Sequence, residues 1–146
     1  VAEVYVDGIK QVRKALNGVE ERTAKEVNQA LRDKVAEPVA ARVRQRVPRS
    51  TITRRGGRKK QHWADKIKAG GNASGAYITW GRKSVPWAPW VEFGGTIEQP
   101  NRGVEITRQR SAEGRYVYPE VQDSAGSAGR ATERVINDLI RSSGLT

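Results

Sequence analysis

Two side chains in this 146-residue sequence have the chemistry of an active site: the single histidine, His62, and Glu92, a carboxylate set among aromatic residues in the stretch WAPWVEFGG, Trp87 to Gly95. General acid–base or nucleophilic catalysis needs a second titratable group within hydrogen-bond reach of the first. His62 closes a run of arginine and lysine, where a solitary histidine is more often a surface or strand-edge residue than a base. The serines lack a nucleophile-elbow context, and no GxxxxGK motif occurs; Gly56-Gly57 belongs to the basic run, not to a strand–helix junction. With no cysteine and one histidine, disulfides, thiolate sites and multi-histidine metal centres are excluded. No catalytic, cofactor-binding or metal-binding residue is assigned, and the chain is not expected to be an enzyme.

Glu92 is therefore weighed as a structural group. It lies between Trp90, Val91 and Phe93 in the most apolar window of the chain. A carboxylate buried there must gather hydrogen-bond donors or lose its charge. The preferred reading is that Glu92 accepts from backbone or an arginine and fixes a bend into Gly94-Gly95, with Trp87, Trp90 and Phe93 anchoring a sheet.

The chain carries 27 basic and 16 acidic residues, a net charge of +11, with a mean hydropathy of −0.71. Nine of the basic residues fall between Arg42 and Lys60, where no acidic residue occurs; the remainder of the chain is nearly balanced. One-signed charge over that span points to a polyanion or an acidic neighbour. Arg49, Arg54, Arg55, Arg58, Lys59 and Lys60 are the residues expected to make such a contact, with DNA or with another subunit. Tryptophans close by in sequence also allow a nucleic-acid reading, in which bases stack on indole and phosphates pair with arginine. No nucleic-acid fold signature accompanies them. No apolar run approaches the roughly 20 residues of a membrane span, and no charged-then-apolar leader opens the sequence, so a non-membrane chain is expected.

These residues need a scaffold, and the length suits one domain over 1–146 with a lean core. Residues 8–47 read as helical: a short amphipathic helix in DGIKQVRKAL, then a long one with Val27, Leu31, Val35, Val39, Val43 and Val47 spaced by four. A spacing of four overruns an α-helix by about 40° per step, so this helix must bend, break or be embraced. Pro38 supplies a kink. Residues 48–62 form a basic loop or arm. Residues 63–118 are β-rich, with a hairpin turning near Gly70-Gly71-Asn72 and Ala76, Ile78 and Trp80 on one strand face. A second hairpin or returning loop is expected around Ser111–Gly114, joining NRGVEITRQR to GRYVYPEV. The C-terminal helix spans 119–143, with Pro119 in its first turn and Val121, Ala125, Ala128, Thr132, Val135, Ile136 and Leu139 on one face. Its run of small residues implies close approach to a neighbouring element. The class is α+β: a kinked long helix, a small antiparallel sheet and a C-terminal helix packed on that sheet.

With these segments in view, the chain resembles the small tail-completion or neck proteins of long-tailed bacteriophages, similar to the Z-like minor tail component at the head–tail junction. The resemblance is carried by AEPVAARVRQRVP, by the basic arm leading into a strand pair, and by WAPWVEFGG followed by GRYVYPEV and a last helix. Trp87, Ala88, Val91, Glu92, Phe93 and Gly94 match the family's aromatic V-E-F-G segment; Trp90 belongs to the same window. Arg115, Tyr116 and Pro119 match its second segment loosely. The chain departs in Gly95, in lacking a proline after the arginine, and in the long insertion TIEQPNRGVEITRQRSAE.

The resemblance implies a structural virion protein without cofactor, assembled in the host cytoplasm into a ring, by analogy a hexamer, at the head–tail junction. Its partners would be copies of itself, a head-connector or stopper protein, a tail-terminator or tail-tube protein, and genome DNA in the lumen. A tail terminator ring and a basic nucleic-acid-binding protein are the alternatives.

Overall fold

The residues spaced by four from Val27 to Val47 are all buried, and the way the chain manages this sets the architecture. The computed structural model describes residues 2–5, 21–48, 62–72, 75–81, 87–99 and 103–142. Helix α1, Glu21–Leu31, runs into a π turn, Arg32–Ala36, and on into α2, Glu37–Arg46, with helical backbone at both junctions. In the π turn the Glu37 N–H donates to the Arg32 carbonyl, five residues back. This wider loop takes up the excess that a spacing of four accumulates, so the apolar stripe stays on one side. The irregularity expected at Pro38 thus sits just before it, and Pro38 occupies the first turn of α2, where its missing N–H is tolerated. The short helix expected in 8–18 and the arm residues Arg49, Arg54, Arg55, Arg58, Lys59 and Lys60 lie outside the described residues.

A three-stranded antiparallel sheet covers the helix, in the order β1 (Ala2–Tyr5), β3 (Gly75–Gly81), β2 (Lys68–Asn72). β1 was not expected; four alternating residues are too short a pattern to register. The β2–β3 hairpin is as expected, but its turn is not. Asn72 pairs with Gly75, so Gly70 and Gly71 are strand residues. A Cβ on Gly71 would collide with the Asn28 carbonyl of α1, and one on Gly70 with the ring of Tyr77. These glycines answer to packing, not to a turn. Ala76, Ile78 and Trp80, which the alternation places on one face, are buried, and so is Thr79 of the other face.

The proline-bracketed segment, expected to be an anchoring bend, is a short helix, α3, Ala88–Phe93, with Pro89 in its first turn. It leads into a separate two-stranded hairpin, β4 (Gly95–Gln99) with β5 (Val104–Arg108). The second hairpin is therefore built within the insertion, and GRYVYPEV does not return to the sheet. It opens the last helix, α4, Val117–Ser142.

The first turn of α4 reaches the sheet, where Tyr118 meets Trp80 of β3 at 6.0 Å between ring centroids. The body of α4 lies along α1, the π turn and α2. Val117, Ser124, Ala128, Thr132 and Val135 are buried along that seam, and Val121, Ile136 and Leu139 are half-buried. Ala125, placed on that face by periodicity, is exposed, and Ser124 takes its place. The close approach inferred from the small residues holds at Ser124 and Ala128 but not at Gly129, above which a Cβ would meet nothing within 4 Å. At the seam Arg42 pairs with Glu120 at 3.1 Å, and Arg46 bridges Glu120 at 3.0 Å and Asp123 at 3.2 Å. The fold class is α+β. Among the described residues no helix is long and apolar enough to cross a membrane.

Candidate functional site: a remote carboxylate at the start of the last helix

A helix beginning at Val117 leaves the N–H groups of residues 116–119 without intrahelical acceptors. Pro119 has none to satisfy. The residue in the N-cap position is Tyr116, which offers no short side-chain acceptor of the kind that caps helices. The acceptor comes instead from α3. Glu92 is 0% exposed, and its Oε1 accepts from the backbone N–H groups of Arg115 (3.1 Å), Tyr116 (3.3 Å), Val117 (3.1 Å) and Tyr118 (3.2 Å). Its Oε2 accepts from Tyr116 (3.0 Å) and Val117 (3.2 Å). The negative charge thus sits at the positive end of the helix dipole, a favourable placement for a desolvated carboxylate.

Two glycines make room for this contact. Gly114 has φ +79°, and a Cβ on it would collide with Glu92 Oε1. Gly94 has φ +77°, and a Cβ there would collide with the Gln109 carbonyl. Both conformations favour glycine on backbone grounds alone.

The arginine of the second segment acts beside the carboxylate, not on it. The Arg115 guanidinium donates to the Glu92 backbone carbonyl at 3.2 Å and to the Gln109 carbonyl. The Ser111 N–H donates to the Phe93 carbonyl at 2.8 Å. Trp90 is buried, donates its Nε1–H to the Gly95 carbonyl at 2.8 Å, and lies 5.7 Å under the Arg108 guanidinium. Arg108 also donates to the Tyr116 hydroxyl at 3.1 Å. The β4–β5 hairpin is therefore pinned at its base to both α3 and the start of α4.

The predicted motif residues assemble here. Val91 is fully buried, and Phe93 packs against Trp80 at 5.9 Å and Tyr118 at 5.3 Å. Tyr116 meets Trp63 at 6.0 Å, and Trp63 donates its indole N–H to the Trp80 carbonyl. Trp87 is half-buried just ahead of α3. Tyr118, 38% exposed, is the one large apolar side chain among the described residues that stands out into solvent. The bend attributed to Glu92 needs correcting: its partners lie 23 to 26 residues downstream, and it joins two helices.

His62 also departs from expectation, being buried at 3% exposure. Its Nδ1 accepts from the Ala64 N–H at 3.1 Å, capping the 3-10 turn Trp63–Lys66, and its Nε2 faces the Pro48 carbonyl at 3.1 Å. It joins Pro48 to the 3-10 turn. Three of the nine basic residues between Arg42 and Lys60 are matched within the fold: Arg42 and Arg46 of α2 pair with Glu120 of α4, and Arg44 pairs with Glu37 at 2.7 Å. Among the described residues no group of three or more His, Asp or Glu side chains is placed to hold a metal ion.

Among the described residues, every hydrogen bond to the Glu92 carboxylate comes from a backbone N–H, so the carboxylate joins α3 to the start of α4. No protein family, curated protein or solved structure matches this chain.

Proposed function

We propose that this chain is a structural virion protein of the phage head–tail junction, a neck or tail-completion subunit that works in a ring of its own copies. The observation that carries the reading is the Glu92 contact. The two segments that resemble the neck family, WAPWVEFGG and GRYVYPEV, form the two halves of one joint, through six hydrogen-bond contacts to backbone N–H groups of residues 115–118. A motif used in this way specifies a shape to be presented to neighbours and leaves no carboxylate for chemistry. A ring subunit completes its burial against other copies, which suits the lean composition. In this reading the partners are a hexameric set of copies, a connector or stopper protein on the head side and a terminator or tube protein on the tail side. The arm, Arg49 to Lys60, contacts either an acidic neighbour or DNA in the lumen.

The test is localisation. Antibody to this chain, applied to purified particles of the phage that encodes it, is expected to label the head–tail junction in electron micrographs. Deletion of its gene is expected to leave filled heads and free tails. Particles that lack the chain yet retain joined tails would exclude the reading.

A further inference from the structure

Six of the described arginines are engaged within the fold. Arg32, Arg42, Arg44 and Arg46 pair with carboxylates, Arg108 stacks on Trp90, and Arg115 holds two carbonyls. Arg130, Arg134 and Arg141 of α4 do not: all three are exposed, and among the described residues none forms an ion pair. Steps of four and seven residues bring them within about 40° of one another around the helix, over a length of about 16 Å. Ser127 and Asn137 share this exposed face, which is the one turned away from the seam with α1 and α2.

We propose that this outer face of α4 is a docking surface for the phosphate backbone of nucleic acid, read without regard to sequence. Charge and shape select that partner. Guanidinium groups match phosphate with two parallel donors, and a duplex carries about one negative charge per 1.7 Å of its axis, so a stripe of this length lies against several phosphates. Gly126 and Gly129 cost about 1 kcal/mol each against alanine inside a helix. Among the described residues a Cβ on Gly129 would meet nothing, and one on Gly126 only the Arg130 guanidinium, at 3.6 Å. Gly126, about 40° from Arg130 around the helix, leaves the surface low beside the stripe, so a backbone can approach closely. An anionic membrane would call for large apolar residues on the same face, and a protein interface for an aromatic anchor. This face has neither. Glu133 and Asp138 flank the stripe on its two sides and confine it to a narrow strip. The proposal goes beyond the neck reading and does not require it.

The experiment is DNA binding by the purified full chain to a duplex of arbitrary sequence, measured across a salt series. Neutralising three phosphate contacts in R130Q/R134Q/R141Q is expected to lower the slope of log K against log salt by about 2.7, and R134Q alone by about 0.9. Because the arm can bind DNA independently, the same substitutions are repeated in an R54Q/R55Q/R58Q background, where the decrement is expected to persist. E133Q/D138N is expected to tighten binding. Equal urea midpoints establish that the variants are folded. A slope unchanged by the three α4 substitutions overturns the proposal, as does a wild-type chain without measurable DNA binding at low salt. Loss of polyglutamate binding with an unchanged DNA slope would assign the face to an acidic protein and equally overturn it.

Discussion

Replacing Glu92 tests the central joint directly, because the structure predicts both an order of effects and their sizes. In Glu92→Ala, the N–H groups of residues 115–118 lose their acceptor together. Val117 is fully buried, so its N–H cannot recover a water; that loss costs about 1–3 kcal/mol. Arg115 and Tyr116 are half-buried and Tyr118 is exposed, so their donors regain solvent in part. Removing the charge from the helix N-terminus adds up to about 2 kcal/mol, and the vacated methylenes about 1 kcal/mol. The expected total is about 3–5 kcal/mol, a large part of the roughly 5–15 kcal/mol that holds such domains folded.

Glu92→Gln keeps the volume and one carbonyl oxygen. If that oxygen stays at the Oε1 position, the amide nitrogen faces the Tyr116 and Val117 N–H groups, which carboxylate Oε2 now accepts at 3.0 and 3.2 Å. Two donor–donor contacts and the lost charge amount to about 2–3 kcal/mol. Urea unfolding followed by far-UV circular dichroism reads all three proteins. The expected order is wild type, then Glu92→Gln, then Glu92→Ala. If Glu92→Gln stays within about 0.5 kcal/mol of wild type, the carboxylate is not holding the helix start and the reasoning fails.

Gly114→Ala and Gly94→Ala each place a Cβ against a fixed oxygen at positive φ, so each is expected to lose about 2–4 kcal/mol in the same assay; a neutral outcome at Gly114 would mean that Glu92 can move away freely. His62→Ala removes the cap of the 3-10 turn and the contact with Pro48, for an expected loss of about 1–2 kcal/mol; proteolysis within 49–61 should quicken more than this global loss explains. Asp33 serves as the counter-case. Its carboxyl is held below the usual range, mainly by the side-chain hydrogen bond from Arg32, so any stability it adds is present above the ordinary carboxylate pKa and fades as pH falls through the lowered one. The pair is exposed, so Asp33→Asn is expected to leave the urea midpoint unchanged at both neutral and acid pH; a clear shift at neutral pH only would show the pair to be stronger than exposed pairs are.

The elements most legible in the sequence were those whose signal is local and long. The stripe from Val27 to Val47 and the last helix are present within a few residues of their expected bounds. The overrun of that stripe on an α-helix demands an irregularity, and Pro38 is the residue type that marks one, but the excess is taken up by the π turn before it. Elsewhere distant groups decide the conformation. Gly70 and Gly71 have the composition of a turn, but their role is set by Tyr77 across the strand and Asn28 on α1. WAPWVEF has aromatic residues that favour strands, yet Pro89 starts a helix whose far side meets the core.

Glu92 shows how the two kinds of information meet. The sequence shows a carboxylate in an apolar window without a partner; the fold adds a helix that begins at Val117, two residues ahead of the expected start, with Tyr116 where a capping side chain belongs. Each deficit is a cost that a folded chain does not leave standing. Together they resolve one another, but nothing local joins residue 92 to residues 115–118. The join is made by a hairpin whose base is closed by the Ser111 N–H to the Phe93 carbonyl and by the Arg115 guanidinium to the Glu92 carbonyl. Because the base alone brings Glu92 to the helix, the strands beyond it are free to differ in length without moving the contact. That is why the length of chain between WAPWVEFGG and GRYVYPEV does not prevent the two from serving a single joint.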